Sequence, residues 1–265
     1  MPRFAVNIDM LFTELPFLDR FAAAAAWGFR EVEILRPFLH DPAAMAQAAS
    51  DAGVEVILFN TPIPDMPNGD RGGNLEPAGS ARFAAEADQV IAMAQALGAG
   101  RLHFMAGLGD PDDRATQENL IRNMQAMADR AAPIGLTPLL EPLNTHDFPG
   151  YFLNTSGQAL DLLDRVGRDN VALQFDFHHL QIMEGDVTRL FRRLLPRIGH
   201  IQIANPPDRH EPGVGELDFR HIFDLIDESG YDGPVSLEYR ASTTTEESLA
   251  WAVDYGIRPS PRKWR

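Results

Sequence analysis

The chain has no cysteine, few cations for its 265 residues and no long apolar run, and each shortage removes a class of function. Without cysteine there can be no disulfide framework, thiolate zinc site, thiol nucleophile or iron–sulfur cluster, so any metal must rest on oxygen or nitrogen ligands. Lysine and arginine total 23 against 38 aspartate and glutamate, a net charge of −15. Phosphate backbones and anionic lipid surfaces are bound through basic patches, so neither nucleic acid nor a membrane is an expected partner. No apolar stretch approaches the roughly 18 residues of a membrane span. The opening MPRFAVNIDMLF lacks a basic head, a signal-length apolar run and a small-residue cleavage site, and the expectation is a soluble, cytoplasmic protein.

What the chain does have is alternation. Short apolar, β-rich runs predict strands at 4–8, 31–35, 55–60, 101–106, 136–141, 172–177, 200–204 and 235–239. Helical periodicity follows each one, at 15–27, 43–52, 80–97, 117–132, 156–166, 187–195, 219–228 and 246–255. Gly28, Gly53, Gly98, Gly135, Gly167 and Gly230 fall just after six of these helices, where a left-handed terminal turn favours glycine. Eight strand–helix units in 265 residues, about 33 each, predict an α/β fold: one (β/α)8 TIM barrel filling 1–265 as a single domain. A doubly wound sheet would more often open with a G-x-G-x-x-G phosphate turn, and none follows the first strand. The longest loop, 61–79, carries NGDRGGN with Arg71 and suits a lid or a substrate contact.

Active sites of such barrels lie at the C-terminal ends of the strands, so the polar residues closing each apolar run carry the chemistry. Strand five ends LTPLLEP at Glu141, strand six reads VALQFDFHH with Asp176, strand seven GHIQIAN with Gln202, and strand eight PVSLEYR with Glu238. Burying a carboxylate without a partner costs several kcal/mol. Separate salt bridges to Arg240, Arg209 or a histidine would answer each one singly. Four in succession point instead to a shared hard divalent cation, Mg2+ or Mn2+, for which oxygen donors are suited. His179, three residues after Asp176, is placed to bond a substrate oxygen, whereas strand alternation would turn His178 away. Arg209, in the proline-rich segment IANPPDRHEPGVGELDF, can be aimed at an anion. Asn60, which closes strand three, and Glu33 on strand two are each placed to hydrogen-bond the substrate or a histidine, and Glu33 alternatively to brace the metal shell. His103 and His146 stay open between structural and functional roles.

RFAVNIDMLF, GDRG, LLEPLN, QFDFHHLQIMEGD, GHIQIA with RHEPGVGE, and LEYR with TTTEESL together resemble the hydroxypyruvate isomerase family of xylose-isomerase-like TIM barrels, over nearly the whole chain. The resemblance implies that Glu141, Asp176, Gln202 and Glu238 are the metal-site residues and that Glu141 and Glu238 are the catalytic acid/base pair. It implies an isomerase that interconverts hydroxypyruvate and tartronate semialdehyde through an enediolate, with a small 2-oxo acid or sugar as substrate. Arg71 or Arg209 would meet the substrate carboxylate, and assembly into a homo-oligomer is a further expectation. Glutamine at 202, where ketose 3-epimerases of the same fold have histidine, favours this branch. His178 stands in place of an expected tyrosine and Met66 in place of a tryptophan, which leaves the metal chemistry intact and opens the substrate to 2-oxo-tetronates or free ketoses. An endonuclease IV-like hydrolase would need a histidine-rich cluster and a basic groove, and a non-catalytic sugar-binding barrel would tolerate loss of a glutamate.

Overall fold

The computed structural model describes residues 1–63, 69 and 71–259; Met66 and Asp70 of the long loop lie outside them. Eight parallel strands close into a barrel in chain order: β1 (Arg3–Asn7), β2 (Glu31–Ile34), β3 (Glu55–Asn60), β4 (Arg101–His103), β5 (Thr137–Leu140), β6 (Ala172–Asp176), β7 (Ile198–Ile203) and β8 (Pro234–Leu237), with β1 paired to β8. Around them lie α1 (Asp19–Ala26), α2 (Pro42–Ala52), α3 (Ala81–Leu97), α4 (Arg114–Ala131), α5 (Ser156–Val166), α6 (Phe177–Met183), α7 (Val187–Leu194), α8 (Phe219–Glu228) and α9 (Thr245–Ser248). This is the (β/α)8 TIM barrel expected, and the six glycines marked as helix stops all have positive φ. No described helix is long and apolar enough to cross a membrane.

The two-residue period of each strand sorts the layers. On β6, Phe175 faces outward and packs its ring against Phe177 and Phe191 at centroid distances of 4.9 and 5.6 Å. Gln174 and Asp176, on the opposite face, pair in register with His200 and Gln202 of β7. One end of the barrel is plugged by Ala5, Ile57, Leu58 and Leu139. Gly199 belongs to this plug because a Cβ there would meet Ala172 Cβ at 2.7 Å and Leu139 Cδ2 at 2.8 Å. Nearer the C-terminal ends the filling turns polar, with Asn7, Glu33, Gln174, His200 and Gln202 all fully buried.

Several boundaries depart from expectation, the fourth strand ending at His103 and not at 106 among them, and three have local reasons. The first helix begins at Asp19, not at 15, because Pro16 disfavours helical geometry in the residue before it. The fourth begins at Arg114, where Asp113 Oδ1 accepts the Ala115 N–H at 3.0 Å. The sixth strand stops at Asp176, which caps α6 by accepting the His178 N–H at 2.8 Å. Phe177 and both histidines are therefore helical. The alternation argument that turned His178 outward does not apply, and this unit carries two helices where one was expected. The final helix is also split, with α9 followed by a 3-10 segment, Ala250–Tyr255.

Candidate active site

The strand ends bring Glu141, Asp176, Gln202 and Glu238 to one mouth of the barrel, each 4% exposed or less. Glu141 and Glu238 line a pocket of about 630 Å³ together with Asn60, Arg71, His103, His179 and Arg209. Arg209 donates from Nη2 to Glu238 and lies 3.6 Å from Asp176 Oδ2. Its Nε also donates to the Glu238 carbonyl at 3.3 Å. Arg209, placed by sequence opposite a substrate anion, is thus engaged by two of the site's own carboxylates.

One guanidinium faces three carboxylates, and the imbalance shows in their acidities. Burial raises Glu141 well above the ordinary carboxylate range, and the charges of Glu238 and Asp176 raise it further. Burial also raises Asp176 against the pull of Arg209. Glu238 is pushed up to about 8, first by burial and against the opposing pull of Arg209. Burial works against the Arg209 charge too, but Glu238 and Asp176 hold its pKa above its usual value. Glu141 Oε1 and Asp176 Oδ2 are buried without a hydrogen-bond donor. Unpartnered hard oxygen atoms with excess negative charge fit a divalent cation. Glu141, Asp176 and His179 each place one possible ligand atom within 4.8 Å of the others.

Beneath the carboxylates runs a buried chain of polar contacts. His200 Nε2 bonds Glu33, whose Oε2 accepts from Gln202 Nε2 at 3.0 Å and from Asn7 Nδ2 at 3.3 Å. Gln202 Oε1 accepts from Gln174 Nε2 at 2.6 Å, and Gln174 Nε2 also reaches Glu141 Oε2 at 3.0 Å. His103 Nδ1 lies 3.2 Å from the same oxygen, and burial followed by the nearby His200 charge lowers its pKa to about 3. Burial alone would raise Glu33, but His200 and the bonds it accepts leave it below the usual range. The Gln202 amide is therefore oriented, with its nitrogen towards Glu33 and its oxygen towards Gln174. Gln174 was missed by the sequence reading, although it sits two residues before Asp176 on the same strand face.

The remaining candidates line the walls. Asn60 donates weakly to Met105 Sδ at 3.8 Å and keeps Oδ1 unpartnered. Arg71 lies over the Phe148 ring, 5.9 Å from its centroid. His146 lines the pocket but is exposed. His178 is buried, with Nε2 3.1 Å from Asp147 Oδ2. Arg36 and Arg240 reach the same pocket, Arg36 in an ion pair with Asp9 at 3.0 Å.

Arg209 and Glu211 do not neutralise one another: Glu211 accepts from the Ser242 hydroxyl and, at 3.0 Å, from the Ser242 N–H. The Arg240 N–H donates to the Arg209 carbonyl at 2.7 Å, so the loops after β7 and β8 are stapled together. Asn205 exchanges backbone bonds with His210, and its side chain bonds both polar backbone groups of Leu217. These ties hold Arg209 at φ +61°, in the left-handed region. Gly215, at φ +136°, lets the returning chain pass, since a Cβ there would meet Pro206 O at 2.3 Å and Asn205 Oδ1 at 2.7 Å. Gly215→Ala is expected to lower stability by about 1–3 kcal/mol and to reduce turnover by loosening Arg209. Urea unfolding alongside an activity assay measures both; an unchanged urea midpoint would show that the loop absorbs the methyl group.

The chain as a whole is similar to known proteins. Residues 21–255 match the family described as xylose isomerase-like TIM barrel. A 2-oxo-tetronate isomerase of Cupriavidus necator is 42% identical over 96% of this chain and 99% of its own length. The chain belongs to the xylose isomerase-like TIM barrel family, in its hydroxypyruvate isomerase branch. Also similar is a putative hydroxypyruvate isomerase of Mus musculus, 42% identical over 97% of this chain and 96% of its own. Among solved structures, that of an AP endonuclease, family 2, from Brucella melitensis superposes with a TM-score of 0.93. It is 42% identical and covers 96% of this chain and 99% of its own. In this xylose isomerase-like barrel, as in TIM barrels generally, the carboxylates gather at the C-terminal ends of the strands.

Proposed function

We propose that this protein is a metal-dependent isomerase of short 2-oxo acids, interconverting hydroxypyruvate and tartronate semialdehyde. The observation that carries the reading is the trio of buried, under-compensated carboxylates: Glu141 and Glu238, which line the pocket, and Asp176 at the same mouth of the barrel. Glu141, Asp176, Gln202 and Glu238 would hold a divalent cation, Mg2+ or Mn2+, whose Lewis acidity stabilises negative charge developing on the substrate oxygens. Glu141 and Glu238 form the acid/base pair. One takes the proton from the hydroxyl-bearing carbon of hydroxypyruvate and the other delivers a proton to the adjacent carbonyl carbon, while the hydroxyl proton passes between the two oxygens. His179 donates to a substrate oxygen, and Asn60 and Arg71 contact the substrate from the wall.

A pocket of about 630 Å³ exceeds the needs of a three-carbon acid, and a relative with 42% identity is named for a four-carbon one, so 2-oxo-tetronate is the second substrate to test. Arg71 and Arg240 around the pocket favour an acid over a free ketose. Endonuclease activity is disfavoured because a net charge of −15 repels a phosphate backbone. Proton NMR of hydroxypyruvate, and separately of a 2-oxo-tetronate, with the purified protein and Mg2+ tests the reading. Product should form above the no-enzyme background and cease with EDTA. Metal-bound protein that turns over neither acid would refute it.

A further inference from the structure

We propose that Asn144 is a positioning residue that fixes the tautomer of His179, so that the ring presents Nε2–H to the substrate as a hydrogen-bond donor and not a lone pair to the metal. The part played towards substrate rests on the isomerase reading above; the tautomer itself does not. Asn144 follows β5 and is fully buried. Its Oδ1 accepts the backbone N–H groups of His146 at 3.0 Å and Asp147 at 2.8 Å. Two backbone donors identify that atom as the oxygen and set the orientation of the amide. The Asn144 NH2 group then faces Asp147 Oδ2 at 2.9 Å and His179 Nδ1 at 2.7 Å. The Asn144 backbone N–H also points at His179 Nδ1, at 3.2 Å.

A ring nitrogen met by two N–H donors must offer a lone pair. That arrangement excludes both the imidazolium and the Nδ1–H tautomer, and leaves the single proton on Nε2. Nε2 is buried with no hydrogen-bond partner, 3.5 Å from Asp176 Oδ2, in a ring that lines the pocket. A protonated nitrogen cannot ligate a cation. Metal-bound histidines show the opposite pattern, their second nitrogen donating to a carboxylate or carbonyl. His179 therefore stands beside the carboxylates as a neutral N–H donor, the form that stabilises an oxyanion as enediolate charge develops without giving up a full proton.

The test uses the Mg2+-loaded protein labelled with 15N-histidine, with long-range 15N–1H correlation and a His179→Gln variant to assign the ring. The expected signature is an unprotonated Nδ1 and a protonated Nε2 in the wild type. Asn144→Leu removes the side-chain donor at 2.7 Å and keeps only the longer backbone N–H at 3.2 Å, so the signature should shift towards a tautomer mixture, with kcat down about 10²-fold and KM little changed. A wild-type His179 protonated at Nδ1, or with a bare Nε2 in the loaded protein, overturns the proposal, as does an Asn144→Leu variant that keeps the Nε2–H signature in full. These readings need no turnover. The Nε2–H signature in a protein inert towards both 2-oxo acids would uphold the tautomer assignment and sink the isomerase reading alone.

Discussion

Glu238→Gln is expected to lower kcat for hydroxypyruvate by about 10²–10⁴-fold, the usual worth of a positioned acid/base group. Glutamine keeps the shape of the side chain and an oxygen to accept from Arg209 Nη2, so the stapled loops after β7 and β8 should stay in place. What it removes is a group that can take up and release a proton. In the metal-free protein the carboxyl is held near 8 by burial against the pull of Arg209. Glu141→Gln should cost a similar factor, and the double variant should cost far less than the product of the two, because the residues act as a unit. Deuterium incorporation from D2O into the carbon positions of recovered substrate gives a second reading, since loss of proton abstraction abolishes it. Undiminished kcat in a folded Glu238→Gln protein would leave Glu238 as the ion-pair partner of Arg209 and nothing more.

Period and punctuation made the barrel legible, because each apolar run and each helix stop is a local signal. The four strand-end residues were legible for the same reason: a carboxylate or amide inside an apolar run contradicts its neighbours and needs a compensating partner. What stayed hidden depends on contacts between residues far apart in the chain. Phe177 reads as strand by hydrophobicity, yet the capping bond from His178 N–H to Asp176 turns the chain into helix one residue earlier. That short turn is what places His178 against Asp147 and His179 against Asn144, 31 and 35 residues away. Arg209 was visible as a cation on a stiff loop, with a substrate anion or a strand-end carboxylate as its target; the choice of Glu238 and Asp176 was hidden because the loop's direction is set by Asn205, Gly215 and the Arg240 N–H. Asn144 gives no sequence signal of its own; only the donors and acceptors around it assign its task.

The metal-free protein is expected to lose stability as pH rises, and a divalent cation to return it. Glu141, Asp176 and Glu238 all sit above their ordinary pKa values, with burial the largest cause in each. Between the unfolded carboxylate range near pH 4–5 and the folded value of about 8 for Glu238, the folded state therefore holds protons that the unfolded chain has released. Stability falls with pH wherever the folded state binds more protons. It is fully present below the unfolded pKa and is lost as pH climbs through the folded ones. A bound cation replaces those protons as the compensating charge, so its effect should be largest where the carboxylates would otherwise ionise unaided. At about 100 times Kd it contributes about 3 kcal/mol, which corresponds to roughly 5–10 °C for a protein of this size. Thermal melting at pH 5 and pH 8, with EDTA and with Mg2+ or Mn2+, measures both effects. The general self-repulsion of a chain carrying −15 also grows with pH, so the decisive quantity is the metal-induced rise in Tm at pH 8 minus that at pH 5. A large positive difference, reduced in Glu238→Gln, locates the titrating groups at the barrel mouth. A melting temperature indifferent to metal at both pH values would mean that Arg209 and the polar chain through Gln174, Gln202 and Glu33 already compensate these carboxylates internally.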